Sequence, residues 1–570
     1  MMTDSEHSLH WAEDRQGYTW PLILAVLIWL AFFLGSYARY QPAGIVLADA
    51  RPDVFSAERA EAVFQRLYQN ATPHPAGNNE AFRQQVIDEF ESLGYQVELH
   101  RTSAAPNNLV SSATSVPLVN LIVRLPGKKA LAPVMLAAHY DSHPNSPGAG
   151  DDGAAVAAML EIARMLKDEG PQDRPIIFFL SDGEEFGMIG AQKFCEQHAL
   201  AQEIAAVINL EARGTDGPSM MFQTSPASWW LINQFAANCD HPYASSLFYE
   251  VYKTLPNNTD FTIFLQHGMQ GYNFAFIGDV KNYHMPTDNI DNVSLRCVQH
   301  HGQNALPLLR MLANTDIESQ SARQAVYFDV FGKYIVRWPA EWSIGFAVFA
   351  LTLILWFWAN REDRKLRPVS LVFGLLMLAA VYGIGLAIDF GLRLDERLAT
   401  PFPDSAFLTA GIFWTGCLTG MLAITWIFKP QLDFHNVWLG VWLTWCIAAF
   451  ACSIFVTGAS YLFIVPVVLV SVGCLLARPR KSSWQQPIFL ALMSVIAVGI
   501  IWIPLERLFY DALGFSRNQF LVARLSIVLS SILPAATLCS RRRLIPVMLM
   551  GVMASSFCVI WPIVLQYIPK

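Results

Sequence analysis

From about Trp342 onward the chain is a series of long apolar runs separated by short polar loops. A helical run of about 20 apolar residues matches the hydrocarbon thickness of a bilayer. In lipid every backbone N–H and C=O must be hydrogen-bonded internally, so such runs fold as helices. The sequence therefore predicts an all-α transmembrane bundle of about eight helices over residues 342–570. The predicted spans are 342–360, 369–388, 407–428, 436–455, 458–477, 487–505, 525–540 and 545–565.

A further uncharged apolar run lies near the N-terminus, at residues 18–38. A cleaved signal peptide is the alternative interpretation. The run is longer than a usual signal-peptide core, and acidic residues rather than a clear basic region precede it. We therefore predict an uncleaved transmembrane anchor that follows a cytoplasmic tail, residues 1–17, and brings the total to about nine spans.

Basic residues concentrate in alternate loops of the predicted bundle. Those loops carry Arg361, Arg364, Lys365 and Arg367; Lys429; Arg478, Arg480 and Lys481; and Arg541, Arg542 and Arg543. Cytoplasmic loops are enriched in Lys and Arg, so these four loops are predicted to be cytoplasmic. The polar region between the anchor and the bundle then lies on the other side, in a periplasm or an organelle lumen. No acid or base occupies the middle of a predicted span, which favours a membrane anchor or scaffold over a transporter.

The polar region is predicted to be a separate domain, residues 39–316, followed by a linker, residues 317–341. The whole chain is 53% hydrophobic and 15% charged, and this region holds most of its acids and histidines. The net charge of −7 and the lack of a basic patch interleaved with aromatic residues exclude nucleic acid as a partner. Cys195, Cys239 and Cys297 show no metal-like spacing, and a disulfide between two of them stays open.

Histidines and acids lie at or after the end of one apolar run of this domain. The segment 134–141 is predicted to contain a buried strand that ends at His139. If His139 binds a metal, the carboxylate of Asp141 can hydrogen-bond its other ring nitrogen. His143 is a nearby competitor in the following loop. A glycine-rich loop then carries Asp151 and Asp152 into an amphipathic helix. We interpret Asp151 as a carboxylate that bridges two metal ions, and helix N-capping is the alternative, which stays open for Asp152.

Three more apolar runs end in acids or a histidine. Glu184 and Glu185 are adjacent and point in different directions, so one can bind a metal while the other reaches a metal-bound water; a solvated acidic loop is the alternative. Glu211 ends the run at 207–211, and His284 follows the run at 273–277, with Asp288 as a candidate partner for its ring. Binding sites in open α/β sheets lie at the carboxyl ends of the strands. Together the four pieces predict a site for two metal ions.

These motifs resemble those of the dizinc aminopeptidases of the bacterial leucyl aminopeptidase and glutamate carboxypeptidase type. That signature, HxD, GADD, EE, an acid after NL, and HTxxD, stands here as HYD, GAGDDG, GEEFG, NLEARG and HMPTD. The resemblance covers about residues 55–315 and departs from the usual pattern at Glu211, where many relatives have Asp, and at Met285, where Thr is usual. The linker and the spans resemble the endoplasmic reticulum metallopeptidase and vacuolar membrane protease group, whose catalytic domain faces the lumen.

The resemblance implies a zinc-exopeptidase fold, which is an α/β domain with a mixed central sheet flanked by helices. It also implies two zinc ions per chain, with Asp151 bridging them. The implied metal ligands are His139, Asp151, Glu185, Glu211 and His284. Glu184 would be the general base, Asp141 would orient His139, and an unusual peptide bond would join Asp151 to Asp152.

We therefore predict a multi-pass membrane-bound exopeptidase that acts on peptide substrates, with an aminopeptidase favoured over a carboxypeptidase. Glu184 would take a proton from a water held between the two zinc ions. The alternatives are a single-zinc glutaminyl cyclase-like acyltransferase, which would not need His139, a receptor-like protein without catalysis, and a transporter with an accessory domain. Two roles stay open for Arg213: it could bind a carboxylate of the substrate, or it could form a structural salt bridge. The sequence carries no signal of an oligomeric state.

Overall fold

The computed structural model describes residues 20–39, 42, 44–108, 114–255, 257–317, 323–362, 364–394, 406–477, 485–505, 508 and 518–565. The chain divides into two compact units. One is Ala38–Ala340, and the other combines Met1–Tyr37 with Glu341–Lys570. The predicted tail, residues 1–17, and the basic residues 478–481 lie outside the described residues.

The unit Ala38–Ala340 is built on a mixed seven-stranded sheet with the strand order β1-β2-β4-β3-β5-β7-β6. Its strands are β1 Val97–Ala104, β2 Val116–Leu125, β3 Val134–His139, β4 Ile176–Ser181, β5 Ala206–Ala212, β6 Met220–Thr224 and β7 Gly271–Phe276. The four central strands β4, β3, β5 and β7 are parallel, whereas β1, β2 and β6 run antiparallel to their neighbours. Every residue of the four central strands is buried, which explains why their sequences are continuous apolar runs. This sheet confirms the predicted α/β class.

Helices cover both faces of the sheet. They are α2 Ala57–Tyr68, α3 Glu80–Ser92, α4 Ala154–Glu169, α5 Ile189–Gln197, α6 Trp229–Asn238, α7 Ser246–Tyr252, α8 Asp260–Gln266 and α9 Leu295–Asn314. Alternate residues of a strand point to opposite faces. Leu136 accordingly packs in the core formed with α4 and α9, and Met135 in the core formed with α5 and α8. The parallel strands therefore end at one edge of a rigid, doubly covered sheet.

A hairpin follows α9, formed by the antiparallel strands β8 Ala325–Val330 and β9 Tyr334–Pro339. Ser246 Oγ donates a hydrogen bond to the Tyr327 carbonyl at 3.0 Å, and the Asp329 N–H donates to the Ala244 carbonyl at 2.9 Å. The Tyr327 side chain is 2% exposed and belongs to the main core. The stretch predicted as a linker therefore differs from that prediction, because its apolar residues pair as strands and pack onto the domain.

The other unit is helical. Its helices are α1 Trp20–Arg39, α10 Trp342–Ala359, α11 Pro368–Arg393, α12 Ala406–Phe428, α13 Phe434–Phe455, α14 Tyr461–Leu476, α15 Gln485–Trp502, α16 Asn518–Leu538 and α17 Arg541–Leu565. Within the described residues, 7 helices are long and apolar enough to cross a membrane, and Trp20–Ser36 and Tyr461–Leu476 are shorter apolar helices. All nine predicted spans thus coincide with apolar helices, and the number that cross a bilayer stays a prediction.

Asp389 and Arg524 lie outside the predicted spans but within these helices. The span predicted at 525–540 begins earlier, at Asn518, so that Arg524 lies in the second turn of α16 with 4% of its surface exposed. Asp389 lies in the second turn from the end of α11 and is ion-paired with Arg393 at 2.9 Å. Both residues are near helix ends, where charged groups are less costly than at the bilayer centre.

Candidate metal centre

The five predicted metal ligands meet at the carboxyl edge of the central strands. They form two groups, His139 with Asp151 and Glu211, and Asp151 with Glu185 and His284. Within each group, one ligand atom from every residue lies within 4.8 Å of the others. Four of the five residues are buried, and His284 is half-buried. Residues far apart in the chain are therefore brought into two adjoining sets of nitrogen and oxygen ligands.

The Asp151 carboxylate belongs to both groups, through different oxygens. Oδ1 lies 3.2 Å from His139 Nε2, which is 3.8 Å from Glu211 Oε2. Oδ2 lies 3.4 Å from His284 Nε2, which is 3.1 Å from Glu185 Oε2. One carboxylate with one oxygen in each ligand set has the geometry of a bridge between two cations.

Asp288 holds the loop that carries Asp151. Its two carboxylate oxygens accept hydrogen bonds from the Gly150 N–H at 2.6 Å and the Asp151 N–H at 3.3 Å. Gly150 is required there, because a Cβ would lie 2.5 Å from the Gly214 carbonyl oxygen. The sequence suggested Asp288 as a partner for the His284 ring, whereas its carboxylate binds the backbone that aims the bridging carboxylate.

Asp152 follows a cis peptide bond after Asp151 and is buried beneath His139. Its Oδ2 accepts a hydrogen bond from the His139 N–H at 3.2 Å. Neither aspartate caps α4, whose N-cap residue is Gly153 and shows no side-chain capping bond. Burial, and repulsion from Glu211, raise the pKa of Asp152 well above its ordinary value.

Asp141 links the two halves of the centre. His139 Nδ1 donates to the main-chain carbonyl of Asp141 at 2.9 Å, while the Asp141 carboxylate is 3.6 Å from that nitrogen. The carboxylate instead accepts hydrogen bonds from the N–H groups of Glu184 at 3.1 Å and Glu185 at 3.3 Å. Asp141 thus orients His139 chiefly through its carbonyl, and its side chain fixes the backbone of the adjacent glutamates.

Glu184 is next to the candidate ligand Glu185 in the chain. Among the described residues, it belongs to neither ligand group. It lies in the turn after β4 and is half-buried. The pKa of Glu184 is raised well above its ordinary value, mainly by burial and secondly by the negative charge of Glu211. A carboxyl group with a raised pKa can accept a proton near neutral pH and release it again.

The residues present fit metal ions. Burial raises the pKa of Glu185 to about 7 and that of Glu211 to about 8. Among the described residues no Lys or Arg forms an ion pair with the five acids of the centre, which are Asp151, Asp152, Glu184, Glu185 and Glu211. Glu185 Oε1 is buried without a hydrogen-bond partner in the described part of the chain. Several buried carboxylates without a basic partner are stabilised when cations bind between them. Carboxylate and imidazole groups are both ligands of zinc.

Of the neighbours of the ligands, His143 is a competitor in the sequence, whereas Tyr283 and Tyr252 have no signal there. The ring of His143 lies parallel to the ring of His284, with 4.2 Å between centroids, and belongs to neither ligand group. Tyr283 contacts the same ring, at 3.7 Å between centroids. The Tyr252 hydroxyl is buried without a hydrogen-bond partner in the described part of the chain, and its raised pKa reflects burial and the nearby charges of Glu211 and Glu184. Aromatic residues are common in any core, so only the fold reveals this setting.

Residues 120–309 match the model of peptidase family M28. Endoplasmic reticulum metallopeptidase 1 of Mus musculus is 34% identical over 233 residues, which are 39% of this chain and 26% of that protein. A vacuolar membrane protease of Yarrowia lipolytica is 30% identical over 311 residues, which are 49% of this chain and 30% of that protein. The matches therefore span less than a third of these relatives. Among solved structures, a glutaminyl cyclase of an Acidobacteriales bacterium is 20% identical, with 48% of this chain and 99% of that chain covered and a TM-score of 0.38.

The family match agrees with the resemblance drawn from the motifs. The matched segment contains all five candidate ligands and the candidate base, from His139 to His284. Their individual roles stay predictions. Residues 120–309 of this chain are therefore a domain of the metallopeptidase family M28.

Proposed function

We propose that this protein is a membrane-bound exopeptidase that uses two zinc ions, with an aminopeptidase as the favoured specificity. The observation that carries the proposal is the division of the Asp151 carboxylate, one oxygen in each ligand group. A single-metal site would leave one of these groups of buried carboxylate and imidazole without a cation. The metallopeptidase family of the domain supports the same reaction class.

The two ligand groups define which residues would hold the metals. His139, Glu211 and one oxygen of Asp151 would hold one ion, and Glu185, His284 and the other oxygen would hold the second. When bound, such ions lower the pKa of a water molecule and polarise a carbonyl group. Asp152 and Asp288 then act on the ligands, by fixing the His139 backbone and the loop of Asp151.

Glu184 would be the general base. Its backbone is held by Asp141 at the edge of both ligand groups, and its carboxylate is free of ligation in the sets described above. It would accept a proton at its carboxylate when water attacks the scissile carbonyl, and deliver that proton to the leaving amine. The adjacent Glu185, held by the same Asp141 carboxylate, would meanwhile stay on the metal.

The test uses the full-length protein in detergent, with zinc content and turnover measured on the same samples. We expect two zinc ions per chain in the wild type. Glu184→Gln should keep both and lower kcat by about 100-fold or more, whereas Glu185→Gln should lose about one zinc. Glu203→Gln, an exposed acid in the same domain, is the matched control and should change neither quantity. Cleavage of a dipeptide with a free but not a blocked amino group would establish the aminopeptidase.

Three results would contradict the proposal or its residue assignments. One zinc per chain in the fully loaded wild type would remove the bridging role of Asp151. Near-normal turnover of Glu184→Gln would remove the general base, and loss of zinc in that variant would show that the roles of Glu184 and Glu185 are exchanged.

A further inference from the structure

Arg213 stands on a rigid backbone at the edge of the metal centre. It directly follows β5, two residues beyond the candidate ligand Glu211. Its N–H donates to the Phe276 carbonyl of the neighbouring strand at 2.9 Å. The next residue, Gly214, packs so closely that a Cβ would lie 2.1 Å from the Gly278 carbonyl oxygen. The position of Arg213 is therefore set by the sheet and not by a free loop.

The guanidinium group lies next to one ligand group. Its Cζ is 6.0 Å from the centroid of the Tyr283 ring. The other neighbour of that ring is His284, a candidate ligand, at 3.7 Å between centroids. A cation at the face of an aromatic ring is weakly held by it, so Tyr283 connects the guanidinium with the candidate ligand His284.

Among the residues that the structure describes, Arg213 forms no ion pair with a carboxylate. Its side chain is half-buried, and Nε is buried without a hydrogen-bond partner among the residues that the structure describes. No ion pair involving Arg213 occurs within those residues, although the adjoining centre is rich in acids. The structural salt bridge that the sequence left open is thus not formed there. A partly buried, unpaired guanidinium is costly, and its planar set of donors matches a carboxylate.

We infer that Arg213 binds a carboxylate of the peptide substrate and makes the enzyme prefer substrates that carry one close to the scissile bond. This inference rests on the proposed function. The carboxylate has two possible sources: the free C-terminus of a short peptide, or an acidic side chain. The chemistry recognised is the same, and in both cases Arg213 determines specificity without taking part in bond cleavage.

The experiment uses the full-length, zinc-loaded protein and two pairs of substrates. Ala-Ala against Ala-Ala amide tests the terminal carboxylate, and Ala-Asp amide against Ala-Asn amide tests an acidic side chain. We expect kcat/KM of the charged member of one pair to exceed that of its neutral partner by about 10- to 100-fold. Arg213→Gln should reduce this ratio to about 1, mainly by raising KM. Arg213→Lys should retain part of it, and Arg101→Gln, on the exposed face of β1, should retain all of it.

A binding measurement separates this inference from the proposed function. In the Glu184→Gln background, calorimetry should show that the charged member binds about 10- to 100-fold more tightly than the neutral one, and that adding Arg213→Gln removes the difference. If no peptide is cleaved but this difference appears, the carboxylate site stands and the peptidase proposal fails. If both pairs give ratios near 1 in the wild type, or if Arg213→Gln affects charged and neutral members equally, the carboxylate site is overturned while the peptidase proposal stands.

Discussion

Glu185 and Glu211 lie on either side of Asp151, and within the described residues neither has a basic partner other than histidine. Burial raises their pKa values to about 7 and about 8, whereas the pKa of a glutamate in an unfolded chain is about 4.3. Without metal, the folded protein therefore keeps protons on these groups that the unfolded chain has already released. The stabilisation from these bound protons is complete below about pH 4 and is lost as the pH rises through 7 and 8.

This linkage predicts that the metal-free protein becomes less stable between pH 6.5 and pH 8. Partial release of these two protons across this range corresponds to about 2 kcal/mol of unfolding free energy. Zinc should reverse the trend, because it binds the ionised carboxylates and displaces their protons. The measurement is the thermal unfolding of chelator-treated and zinc-loaded protein at both pH values.

Groups of opposite sign act mainly below the chosen pH range. Burial lowers the pKa of His300 to about 4 and that of His301 to about 3, so these histidines affect stability mainly at and below about pH 6.5, where an unfolded histidine is protonated. The double substitution Glu185→Gln and Glu211→Gln is the control, and it should weaken the pH dependence of the metal-free protein. A metal-free protein that is more stable at pH 8 than at pH 6.5 would contradict the linkage.

The candidate ligand residues could be recognised in the sequence because each stands at the end of an apolar run within a short motif. The contacts that aim them could not, because they join residues distant in the chain. The Asp141 carboxylate binds the N–H groups of Glu184 and Glu185, 43 and 44 residues away. The Asp288 carboxylate binds the Gly150 N–H, 138 residues away. A motif shows which atoms are available, and only the strand order shows which backbone they meet.

At the scale of elements, the parallel strands are the best-predicted part of the fold, since burial on both faces makes them uniformly apolar. The hairpin of β8 and β9 is the main departure. Its first strand reads AVYFDV, with four buried residues followed by two half-buried ones, and so lacks the strict alternation that marks a half-buried strand. Its place follows from contacts with Ala244 and Ser246, which the local sequence does not reveal.

The hairpin should be required for stability of the peptidase domain. A fragment of residues 40–316 would lose the buried side chains of Tyr327 and Ile335, which are 2% and 7% exposed. At about 1.5–3 kcal/mol for each large apolar side chain, the loss is about 3–6 kcal/mol, a large share of the stability of a typical domain. We expect the fragment 40–340 to unfold cooperatively at a clearly higher temperature than the fragment 40–316.

The fragment 40–340 with Tyr327→Ala is the matching point variant, and its stability should lie between that of the unsubstituted fragment 40–340 and that of the fragment 40–316. Equal unfolding temperatures for the two fragments would show that the hairpin only rests on the domain. Activity of the fragment 40–316 equal to that of 40–340 would lead to the same conclusion.

For the whole molecule, the distribution of basic residues predicts on which side of the membrane the peptidase domain lies. Arg361, Arg364 and Arg367 follow α10 directly, and Arg541 to Arg543 lie at the start of α17. Positive charges close to the ends of spans are retained on the cytoplasmic side. We therefore propose that the loop after α10 is cytoplasmic and that the domain before α10 is periplasmic or lumenal.

Cysteine labelling on bacterial spheroplasts tests this orientation. Arg101→Cys places a thiol on the exposed face of β1, and Arg364→Cys places one in the exposed loop after α10. A membrane-impermeant maleimide should label the first variant in intact spheroplasts and the second only after permeabilisation. The unsubstituted chain gives the background, because seven of its nine cysteines are buried. Labelling of Arg364→Cys but not Arg101→Cys in intact spheroplasts would place the metal centre in the cytoplasm. The substrates would then be cytosolic peptides, and the basic loops would need an explanation other than membrane orientation.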